Sequence, residues 1–473
     1  MESRKYLGID IGTTSLKAAV FDRSGNRLAL KTVDYILDTD PRTGFIEFDA
    51  MKYVALCKEA IRDLIQECGK IDALSVDTQG ETLILADEYG TPLAPAIVWL
   101  DNRATEEARA LEAHFGRKAV YEVTGQAEIP AAFPASKLMW MQKNRPEIWA
   151  KTKKIFLLED FILYHLTGNF VTEGTVQSSS LYYDIQNGIW WKKMLDFIGI
   201  DKALLPSLVP TATPVGFFEG IPVIAGMLDQ IAGTVGCGIT DDTAISEMTG
   251  TIMAICVTSD EFPPYDERSV VPCHAHAIRG KYCRILCSST AGMALKWFKN
   301  TLAERFSFKE LDALAEKVSP GCDGLTVLPY FCGAYTPKYD PNARAVFSGV
   351  SLSHTRGHFA RAIMEAIAFN LKQNLDALNL EQLKEIRITG GGAASPLWAS
   401  IKASVTKTPL KTLAESETAC LGTALAAAVG IGDFPDIASA ARSVVKTDKS
   451  YFPTADDYAE AYARYCALDG KNC

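Results

Sequence analysis

Two apolar runs separated by a short polar turn open the chain. The runs are YLGIDI, residues 6–11, and LKAAVF, residues 16–21, and Gly12-Thr13-Thr14-Ser15 lies between them. Strand-length apolar runs on either side of a short turn predict a β-hairpin. The same pattern returns in ISEMTGTIMAICV, residues 245–257, where Thr249-Gly250-Thr251 forms the turn. Because the pattern recurs at the head of the second half, we expect a duplicated architecture.

Helical and strand patterns alternate over the rest of the chain. An amphipathic helix is predicted between Asp49 and Gly69, and a strand follows it. Further on, a fully apolar run ends at Asp229 and passes into a helix rich in small residues. A later strand leads into Gly390-Gly391-Gly392, after which Ser395-Pro396 begins another helix. This alternation predicts an α/β protein.

The composition is that of a large soluble protein. The chain has 473 residues, of which 48% are hydrophobic and 22% are charged, so it is long enough for two cores. We predict one domain over residues 1–242 and a second over residues 243–473. The formal net charge of −9 argues against nucleic acid as the main partner, because a protein that neutralises phosphates needs a basic surface.

The sequence indicates neither a signal peptide nor a membrane span. Asp10 stands where a signal peptide needs its apolar core, and the most apolar stretches are short and rich in Gly and Ala. The twelve cysteines form no Cys-x-x-Cys pair, which in a chain of this size favours reduced thiols over a disulfide framework. We therefore expect a cytoplasmic protein without a membrane partner.

The turn of the first hairpin carries candidate phosphate-binding groups. Gly12 allows the backbone to approach a ligand closely, and the hydroxyls of Thr13, Thr14 and Ser15 can bind anionic oxygens. Asp10 would repel a phosphate unless a cation lay between them, which suggests a Mg²⁺ that arrives with a nucleotide. The alternative from the residues alone is an ordinary hairpin whose Thr and Ser side chains satisfy the turn backbone.

Acidic and amide side chains follow other predicted strands. Gln79 and Glu81 come after the strand that succeeds the first helix, and ligands of open α/β sheets bind beyond such strand ends. Asp229 follows a fully apolar strand, a position that would desolvate its carboxyl and suit it to act as a general base. The alternative is that Asp229 only caps the helix. Asp101 is likewise either a helix cap beside a solvated Arg103 or a substrate contact.

Other motifs argue against metal and dinucleotide sites. His274 and His276 alternate along a predicted strand beside Cys273, but no further ligands have zinc spacing. The glycines at 390–392 match neither the Walker A spacing nor the GxGxxG dinucleotide pattern, although such a junction can bring backbone against a flat ring or a phosphate. A zinc site, a P-loop ATPase and a Rossmann dehydrogenase are therefore not predicted.

Five segments occur in the order found in one known family. They are YLGIDIGTTSLKAAVFD, GMLDQ with its glycine-spaced helix, MTGT, PYFCGAYTPKYDPNARAVFSGVSL and ITGGGAASPLW. The chain thereby resembles the FGGY carbohydrate kinases over essentially its whole length, and xylulokinases most of all. The resemblance implies a two-domain, actin-like (ribonuclease H-like) α/β ATPase fold with an interdomain cleft. It also implies that the first domain binds mainly the sugar and the second mainly ATP.

The resemblance further implies roles for individual residues. Asp229 matches the catalytic base, and Asp10 would lie near Mg²⁺. The residues that would bind ATP are Gly12, Thr13, Thr14, Lys17, Thr249, Gly250, Thr251, Gly292, Gly391, Gly392, Ala393 and Ser395. The residues that would bind the sugar are Gln79, Glu81, Trp99, Asp101, Asp229 and Gln230. ATP and Mg²⁺ are thus the expected cofactors, a small sugar is the expected partner, and a homodimer is common in the family.

The substrate depends on positions that depart from the family patterns. Gln79-Gly80-Glu81 stands where xylulokinases have Gln-Met-His and glycerol kinases have Gln-Arg-Glu, so we expect a roomier pocket at Gly80. The segment 333–337 reads Gly-Ala-Tyr-Thr-Pro where relatives often have Gly-Glu-Arg-Thr-Pro. We expect a ketopentose such as xylulose as the substrate, with another ketose or a polyol as alternatives.

Two other classes of protein compete with a sugar kinase. One is an actin-like ATPase without a sugar substrate, but the polar and acidic side chains at Gln79, Glu81, Asp101 and Asp229 favour a polyhydroxyl ligand. The other is a sugar-binding relative that has lost catalysis, which the intact Asp10 and Asp229 disfavour.

Overall fold

The computed structural model describes residues 4–267, 271–337 and 339–470, and its strands fall into two large sheets and several small ones. The strands are, in chain order, β1 (Lys5–Ile11), β2 (Ser15–Asp22), β3 (Arg27–Asp34), β4 (Asp38–Thr39), β5 (Ile46–Phe48), β6 (Ala73–Thr78), β7 (Leu83–Ala86), β8 (Ala96–Ile97), β9 (Lys154–Leu157), β10 (Val171–Glu173), β11 (Tyr183–Asp184), β12 (Ile189–Trp190), β13 (Ser207–Val209), β14 (Pro214–Phe218), β15 (Ile221–Leu228), β16 (Ala244–Thr249), β17 (Met253–Ser259), β18 (Cys273–Ala275), β19 (Tyr282–Ser288), β20 (Thr326–Leu328), β21 (Val346–Ser348), β22 (Glu385–Thr389), β23 (Leu410–Leu413) and β24 (Thr447–Tyr451).

Helices pack around these sheets. They are α1 (Ala50–Cys68), α2 (Thr105–Phe115), α3 (Arg117–Thr124), α4 (Pro134–Asn144), α5 (Pro146–Trp149), α6 (Leu158–Thr167), α7 (Gly174–Gln177), α8 (Lys192–Ile198), α9 (Asp229–Gly236), α10 (Gly292–Leu302), α11 (Phe308–Ala315), α12 (Arg356–Leu378), α13 (Pro396–Thr406), α14 (Thr418–Gly430), α15 (Ile437–Val444) and α16 (Ala459–Asp469). Single 3₁₀ turns occur at Lys202–Leu204, Cys322–Gly324 and Gly391–Ala394.

The first predicted hairpin forms the middle of a six-stranded sheet with the order β14-β15-β6-β1-β2-β3. β1 and β2 pair antiparallel, β3 extends the hairpin on one side, and β6 and β15 run parallel to β1 on the other. Leu7 and Ile9 pack with α1 and α6 on one face, whereas Tyr6 packs with α14 on the opposite face. Because helices cover both faces, β1 and β6 are buried along almost their whole length.

The second sheet repeats the arrangement of the first, as the recurring hairpin predicts. Its order is β18-β19-β17-β16-β22-β23-β24, with β16, β17 and β19 antiparallel and with β22 and β23 parallel to β16. Three antiparallel strands followed by two parallel ones thus occur in both halves in the same spatial order. Asp49 caps α1 and Ser395 caps α13, as predicted, through side chains that accept hydrogen bonds from Met51 N and Trp398 N.

Helix α14 joins the two halves, because it packs against β1, β6 and α9 of the first half. The helices α14 and α9 approach so closely that a Cβ on Gly422 would lie 2.0 Å from the Ala232 carbonyl oxygen. A Cβ on Gly236 would lie 1.8 Å from the carbonyl oxygen of Thr418. Gly236 of α9 therefore serves a close approach to another helix, whereas a Cβ on Gly233 of the same helix would meet nothing within 4 Å.

We expect Gly422→Ala to lower the free energy of unfolding by about 3 kcal/mol or more, since two backbones must separate to admit the methyl group. Gly233→Ala is the matched control, because a Cβ on Gly233 meets nothing within 4 Å in the same helix pair. In that variant, alanine should leave stability unchanged or raise it slightly. Chemical denaturation of both variants measures the difference, and equal stabilities would contradict this account of α14.

Two predictions about secondary structure and thiols need correction. The sequence of residues 130–184 predicts helices broken by Pro134, Pro146 and Gly168, but the run KIFL in this stretch forms β9, because it pairs with β7 in a five-stranded sheet. Ten cysteines are free thiols, as predicted, whereas Cys466 is disulfide-bonded and Cys473 lies outside the described residues. Within the described ranges, no helix is both long and apolar enough to cross a membrane.

Candidate active site

Three aspartates meet at the edge of the first sheet where its parallel strands end. Asp10 in β1 is in register with Asp77 in β6, and Asp229 is the first residue of α9, directly after β15. Withdrawal from water raises the pKa of Asp10 to about 6. Desolvation and the charge of Asp10 raise the pKa values of Asp77 and Asp229 well above the usual range of an aspartate. The edge therefore concentrates negative charge.

The Asp77 carboxyl has one satisfied oxygen and one open oxygen. Thr423 of α14 donates a short hydrogen bond to Oδ2. Oδ1 is buried, adjoins Asp10 and has no donor among the residues that the structure describes. Two adjacent carboxyls of this kind hold either a shared proton or a cation between them.

Asp229 does not cap α9. Leu228 occupies the N-cap position, and the Asp229 carboxylate accepts a hydrogen bond from its neighbour Gln230 N at 2.6 Å. An irregularity in β15 before this point turns the strand, and two hydrogen bonds fix it: Gly226 N donates to Glu159 Oε1 and Leu228 N donates to Thr175 Oγ1, each at 2.8 Å. The backbone thus aims the Asp229 side chain along the sheet edge.

The turn of the first hairpin is held from several sides. Gly12 N donates to Ser15 O at 3.0 Å, and the Tyr35 hydroxyl donates a short hydrogen bond to the carbonyl of Gly12. The predicted nucleotide residue Thr13 meets the predicted sugar residue Trp99, whose Nε1 donates to Thr13 Oγ1 at 2.9 Å. Thr14 is exposed at the tip of the turn.

Lys17 lies on β2, the strand next to the one that carries Asp10. Its Nζ forms an ion pair with Glu417 Oε2 at 2.7 Å, and it is paired in register with Asp10. Glu417 directly precedes α14, so this ion pair is a second link between the two halves of the chain.

The predicted sugar residues after β6 are largely buried. Gln79 Nε2 donates to the Tyr53 hydroxyl at 3.2 Å, and its buried Oε1 has no partner among the described residues. Glu81 has a left-handed backbone with φ of 52°, and burial raises the pKa of its carboxyl. These groups leave polar atoms available beside Asp229, whose pKa the charge of Glu81 helps to raise.

Lys137 is a residue of this region that the sequence analysis missed. Its fully buried Nζ donates to the carbonyls of Glu81 at 3.0 Å and Val98 at 2.9 Å. Burial lowers the pKa of Lys137 to about 7. A single lysine inside the apolar spacing of α4 is the signal that could have indicated it. Its bonds hold the segments of Glu81 and Trp99 side by side.

Gly80 has two close side-chain neighbours in the predicted sugar region. A Cβ at this position would lie 3.0 Å from Leu228 Cδ1 and 3.6 Å from Ser179 Oγ. A roomier pocket at Gly80 stays a prediction.

Asp101 does not cap a helix, which was one of the two roles that the sequence allowed. α2 begins at Thr105, and Arg103 is buried instead of solvated. The Arg103 guanidinium pairs with both oxygens of Asp101, and it also contacts Glu47 at 2.8 Å. Asp101 Oδ2 accepts a further bond from Ile46 N at 2.6 Å. Both oxygens of the Asp101 carboxylate therefore accept hydrogen bonds from the protein. A contact between Asp101 and the sugar stays a prediction.

The turn of the second hairpin rests on a buried ion pair. Lys402 Nζ of α13 bonds Glu247 at 2.9 Å and 3.0 Å and Thr249 Oγ1 at 2.6 Å, and the hydroxyl of Thr249 donates a short bond to Glu247. Lys402 and Glu247 have side-chain exposures of 2% and 0%. The ion pair fixes the side chain of Thr249 at the end of β16.

The predicted glycines gather around this second turn. A Cβ on Gly392 would lie 2.5 Å from Thr249 Cγ2, and one on Gly390 would lie 2.7 Å from the carbonyl of Thr249. One on Gly292, at the start of α10, would lie 2.4 Å from the Gly250 carbonyl. Among the other predicted residues, Gly391 and Thr251 are exposed, and Ala393 and Ser395 are half-buried. The structure therefore brings the predicted nucleotide residues of the second half together.

Contacts near Asp229 connect the residues around the first hairpin turn with those around the second. The Cys256 thiol of β17 lies 4.0 Å from Gln230 Oε1, and the charge of Asp229 acts on the pKa of Cys287 in β19. Cys287 in turn forms three hydrogen bonds with Thr336, which anchor the loop between β20 and β21. The aspartate edge of the first sheet thus faces the second sheet and this loop.

His274 of β18 and His276, which follows that strand, are both buried. Burial lowers the pKa of His274 to about 4 and that of His276 to about 3, so both are neutral. His276 accepts a bond from Ile278 N, and its other ring nitrogen contacts Thr258 Oγ1 at 3.1 Å. No cluster of three or more His, Cys, Asp or Glu side chains that could hold a metal occurs in the described part of the chain.

Sequence models of a known family match both halves. The model of the N-terminal domain of the FGGY family of carbohydrate kinases matches residues 5–236, and that of the C-terminal domain matches residues 275–431. The chain belongs to this family. It is therefore an ATP-dependent carbohydrate kinase, a phosphotransferase whose acceptor is an alcohol group, and its fold is the two-domain, actin-like fold that the sequence predicts.

Individual relatives agree over almost the full length. The chain is 28% identical to the xylulose kinase of Lactococcus lactis subsp. lactis (strain IL1403), over 96% of this chain and 93% of that one. The crystal structure of ligand-bound xylulose kinase from Lactobacillus acidophilus is 26% identical with a TM-score of 0.92, covering 99% and 98% of the two chains. The gluconate kinase structure from Lactobacillus acidophilus is 25% identical, with the same TM-score and coverage.

Proposed function

We propose that this FGGY kinase transfers the γ-phosphoryl group of ATP to a hydroxyl of a neutral ketose, such as the ketopentose xylulose, with Asp229 as the general base. The observation that carries the proposal is the junction of Asp10, Asp77 and Asp229 at one sheet edge beside Gln79, whose Oε1 has no partner among the described residues. The similar xylulose kinases of L. lactis and L. acidophilus support a ketopentose. We place the domain boundary at residues 242 and 243, between α9 and β16.

The aspartate pair fits a divalent cation. Asp77 Oδ1 lacks a donor among the described residues and adjoins Asp10, an arrangement that a cation would satisfy. Mg²⁺ is commonly bound by one or two carboxylates, with water and phosphate oxygens as the remaining ligands. Asp10 and Asp77 would hold it, directly or through water. When bound, Mg²⁺ supplies neutralisation of the phosphate charge.

Different residues then contribute to different parts of the phosphoryl transfer. Asp229 accepts the proton of the attacking sugar hydroxyl, and its raised pKa makes it a stronger base than an ordinary aspartate. Lys17 and the turn at Gly12 and Thr13 stabilise charge on the γ-phosphoryl group, while the turn at Thr249 holds phosphates from the second half. Closure of the halves excludes water, which would otherwise compete with the sugar hydroxyl.

The charges around the site favour a neutral sugar over a sugar acid. Glu81 and Asp229 place carboxylates in the region, and their charges act on each other. The nearby cations Lys137 and Arg103 are buried and already engaged by carbonyls and by Asp101. A gluconate carboxylate would therefore enter beside other carboxylates, although one structurally similar protein is a gluconate kinase.

We expect D-xylulose or another neutral ketose to give a kcat/KM about 100-fold or more above that of D-gluconate, because an unpaired carboxylate in this site costs several kcal/mol. Coupled measurement of ADP release across ketoses, aldoses, polyols and gluconate tests this. A higher kcat/KM for gluconate than for every neutral sugar would overturn the substrate class, and ADP release that ignores all added sugars would overturn the kinase proposal.

A further inference from the structure

Three consecutive serines follow the short helix α7, and they differ in their hydrogen bonds. Ser178 Oγ donates to the Gly174 carbonyl at 2.8 Å and accepts from Ala275 N at 3.0 Å. Ser180 Oγ accepts from Tyr182 N at 3.3 Å. Ser179 Oγ forms no hydrogen bond of ordinary length and angle with the described residues, although the side chain is fully buried, and its hydroxyl interacts only with the Glu81 carboxylate. The acceptor capacity of this buried hydroxyl is therefore left unused by the protein, which makes it available to a ligand.

The Ser179 hydroxyl lies between the two segments that we assign to the sugar. It is 3.6 Å from the position that a Cβ on Gly80 would take, next to Leu228, which directly precedes Asp229. Its hydroxyl also hydrogen-bonds the Glu81 carboxylate, which favours the charged form of that group and offsets part of the rise in its pKa. A ligand that contacts Gly80 would thus lie next to Ser179 and next to Leu228, the neighbour of Asp229.

Because Gly80 has no side chain, no group of residue 80 lies against this buried hydroxyl. Any larger residue there would begin 3.0 Å from Leu228 Cδ1 and point toward Ser179. The neighbouring Gln79 also presents a buried, unpartnered Oε1. A hydroxyl that both donates and accepts, next to an amide oxygen that accepts, suits two hydroxyls of a polyhydroxyl ligand.

We propose that Ser179 is a sugar-binding residue that hydrogen-bonds a sugar hydroxyl other than the one that Asp229 deprotonates, and that it helps to select the sugar. The proposal rests on the sugar-kinase function above. The ligand that we expect at Ser179 is a neutral polyhydroxyl chain. A second hydroxyl of this chain reaches Ser179 when the reacting hydroxyl reaches Asp229. Ser179 thereby contributes binding that a sugar lacking this hydroxyl does not receive.

The test compares Ser179→Ala with Ser178→Ala and Ser180→Ala, using the sugar that gives the highest kcat/KM in the panel. Ser179→Ala should raise the KM for the sugar about 5- to 10-fold, the effect of one neutral hydrogen bond, and leave the KM for ATP within twofold. Its Tm should stay close to that of the wild type, since the Ser179 hydroxyl forms no hydrogen bond of ordinary length and angle. Ser178→Ala should instead lower the Tm, because Ala275 N loses its acceptor, and leave the KM for the sugar near that of the wild type.

Monodeoxy analogues of the same sugar make the test specific. One analogue should lose affinity with the wild type but behave like the parent sugar with Ser179→Ala, because the missing hydroxyl and the missing serine remove the same bond. An unchanged KM in Ser179→Ala, or equal losses for every analogue in both proteins, would overturn the assignment of Ser179 and leave the kinase function intact. Absence of sugar-dependent ADP release in the wild type would overturn both.

Discussion

Asp229→Asn should reduce the kcat of sugar-dependent ADP release by about 10²- to 10⁴-fold, the range for loss of a general base. Asparagine has nearly the same shape but cannot take up the proton of the attacking hydroxyl. ATP binding, measured by calorimetry, should stay close to that of the wild type, because the residues that we propose for the nucleotide do not include Asp229. Near-normal turnover in this variant would remove Asp229 from the catalytic role.

The same substitution separates catalysis from a role in folding. Asn is as good a helix-capping residue as Asp, so a purely structural Asp229 would tolerate the change without loss of activity. Asp436→Asn is the matched control, because Asp436 caps α15 by accepting a bond from Ser439 N at 2.7 Å, away from the aspartate cluster. This control variant should keep both its stability and its kcat. A comparable loss of kcat in Asp436→Asn would point to a general effect of Asp→Asn changes on the fold.

Lys402→Met should lower the free energy of unfolding by about 3–5 kcal/mol, because it leaves Glu247 buried without its cation. It should also raise the KM for ATP, since Lys402 fixes the Thr249 hydroxyl in the second turn. Urea denaturation gives the stability change, and initial rates at varied ATP give the KM. A loss below about 1 kcal/mol would contradict the importance of this pair.

Two further variants make the result for Lys402 specific. Lys372→Met removes a solvent-exposed ion pair with Asp376 on α12 and should cost no more than about 0.5 kcal/mol. The double variant Lys402→Met with Glu247→Gln should recover part of the lost stability, because no unpaired charge then stays buried. Failure of the double variant to recover any stability would assign the loss to packing instead of charge.

Local patterns in the sequence predict the two hairpins, and the structure confirms them. Apolar runs and turn residues lie next to each other along the chain, so periodicity suffices to find β1 with β2 and β16 with β17. The position of Asp229 after a buried strand is predicted for the same reason. The resemblance to the FGGY family then identified the fold, which the family models and the similar structures confirm.

Other parts of the site depend on contacts between distant residues, which a single sequence does not reveal. Lys137 and Glu81 are 56 positions apart, yet the lysine bonds the Glu81 carbonyl inside the protein. Asp101 matches a helix cap locally, but in the structure it forms an ion pair with Arg103, which also pairs with Glu47. Ser179 is one of three adjacent serines, and only their environments distinguish them.

The most direct test of the central claim is the ratio of sugar phosphate formed to ADP released by the wild-type protein with ATP, Mg²⁺ and D-xylulose. Mass spectrometry quantifies the sugar phosphate, and a coupled assay quantifies ADP. The account predicts one sugar phosphate for each ADP and almost no ADP when the sugar is omitted. ADP released at the same rate with and without D-xylulose and every other sugar of the panel, with no sugar phosphate formed, would contradict it.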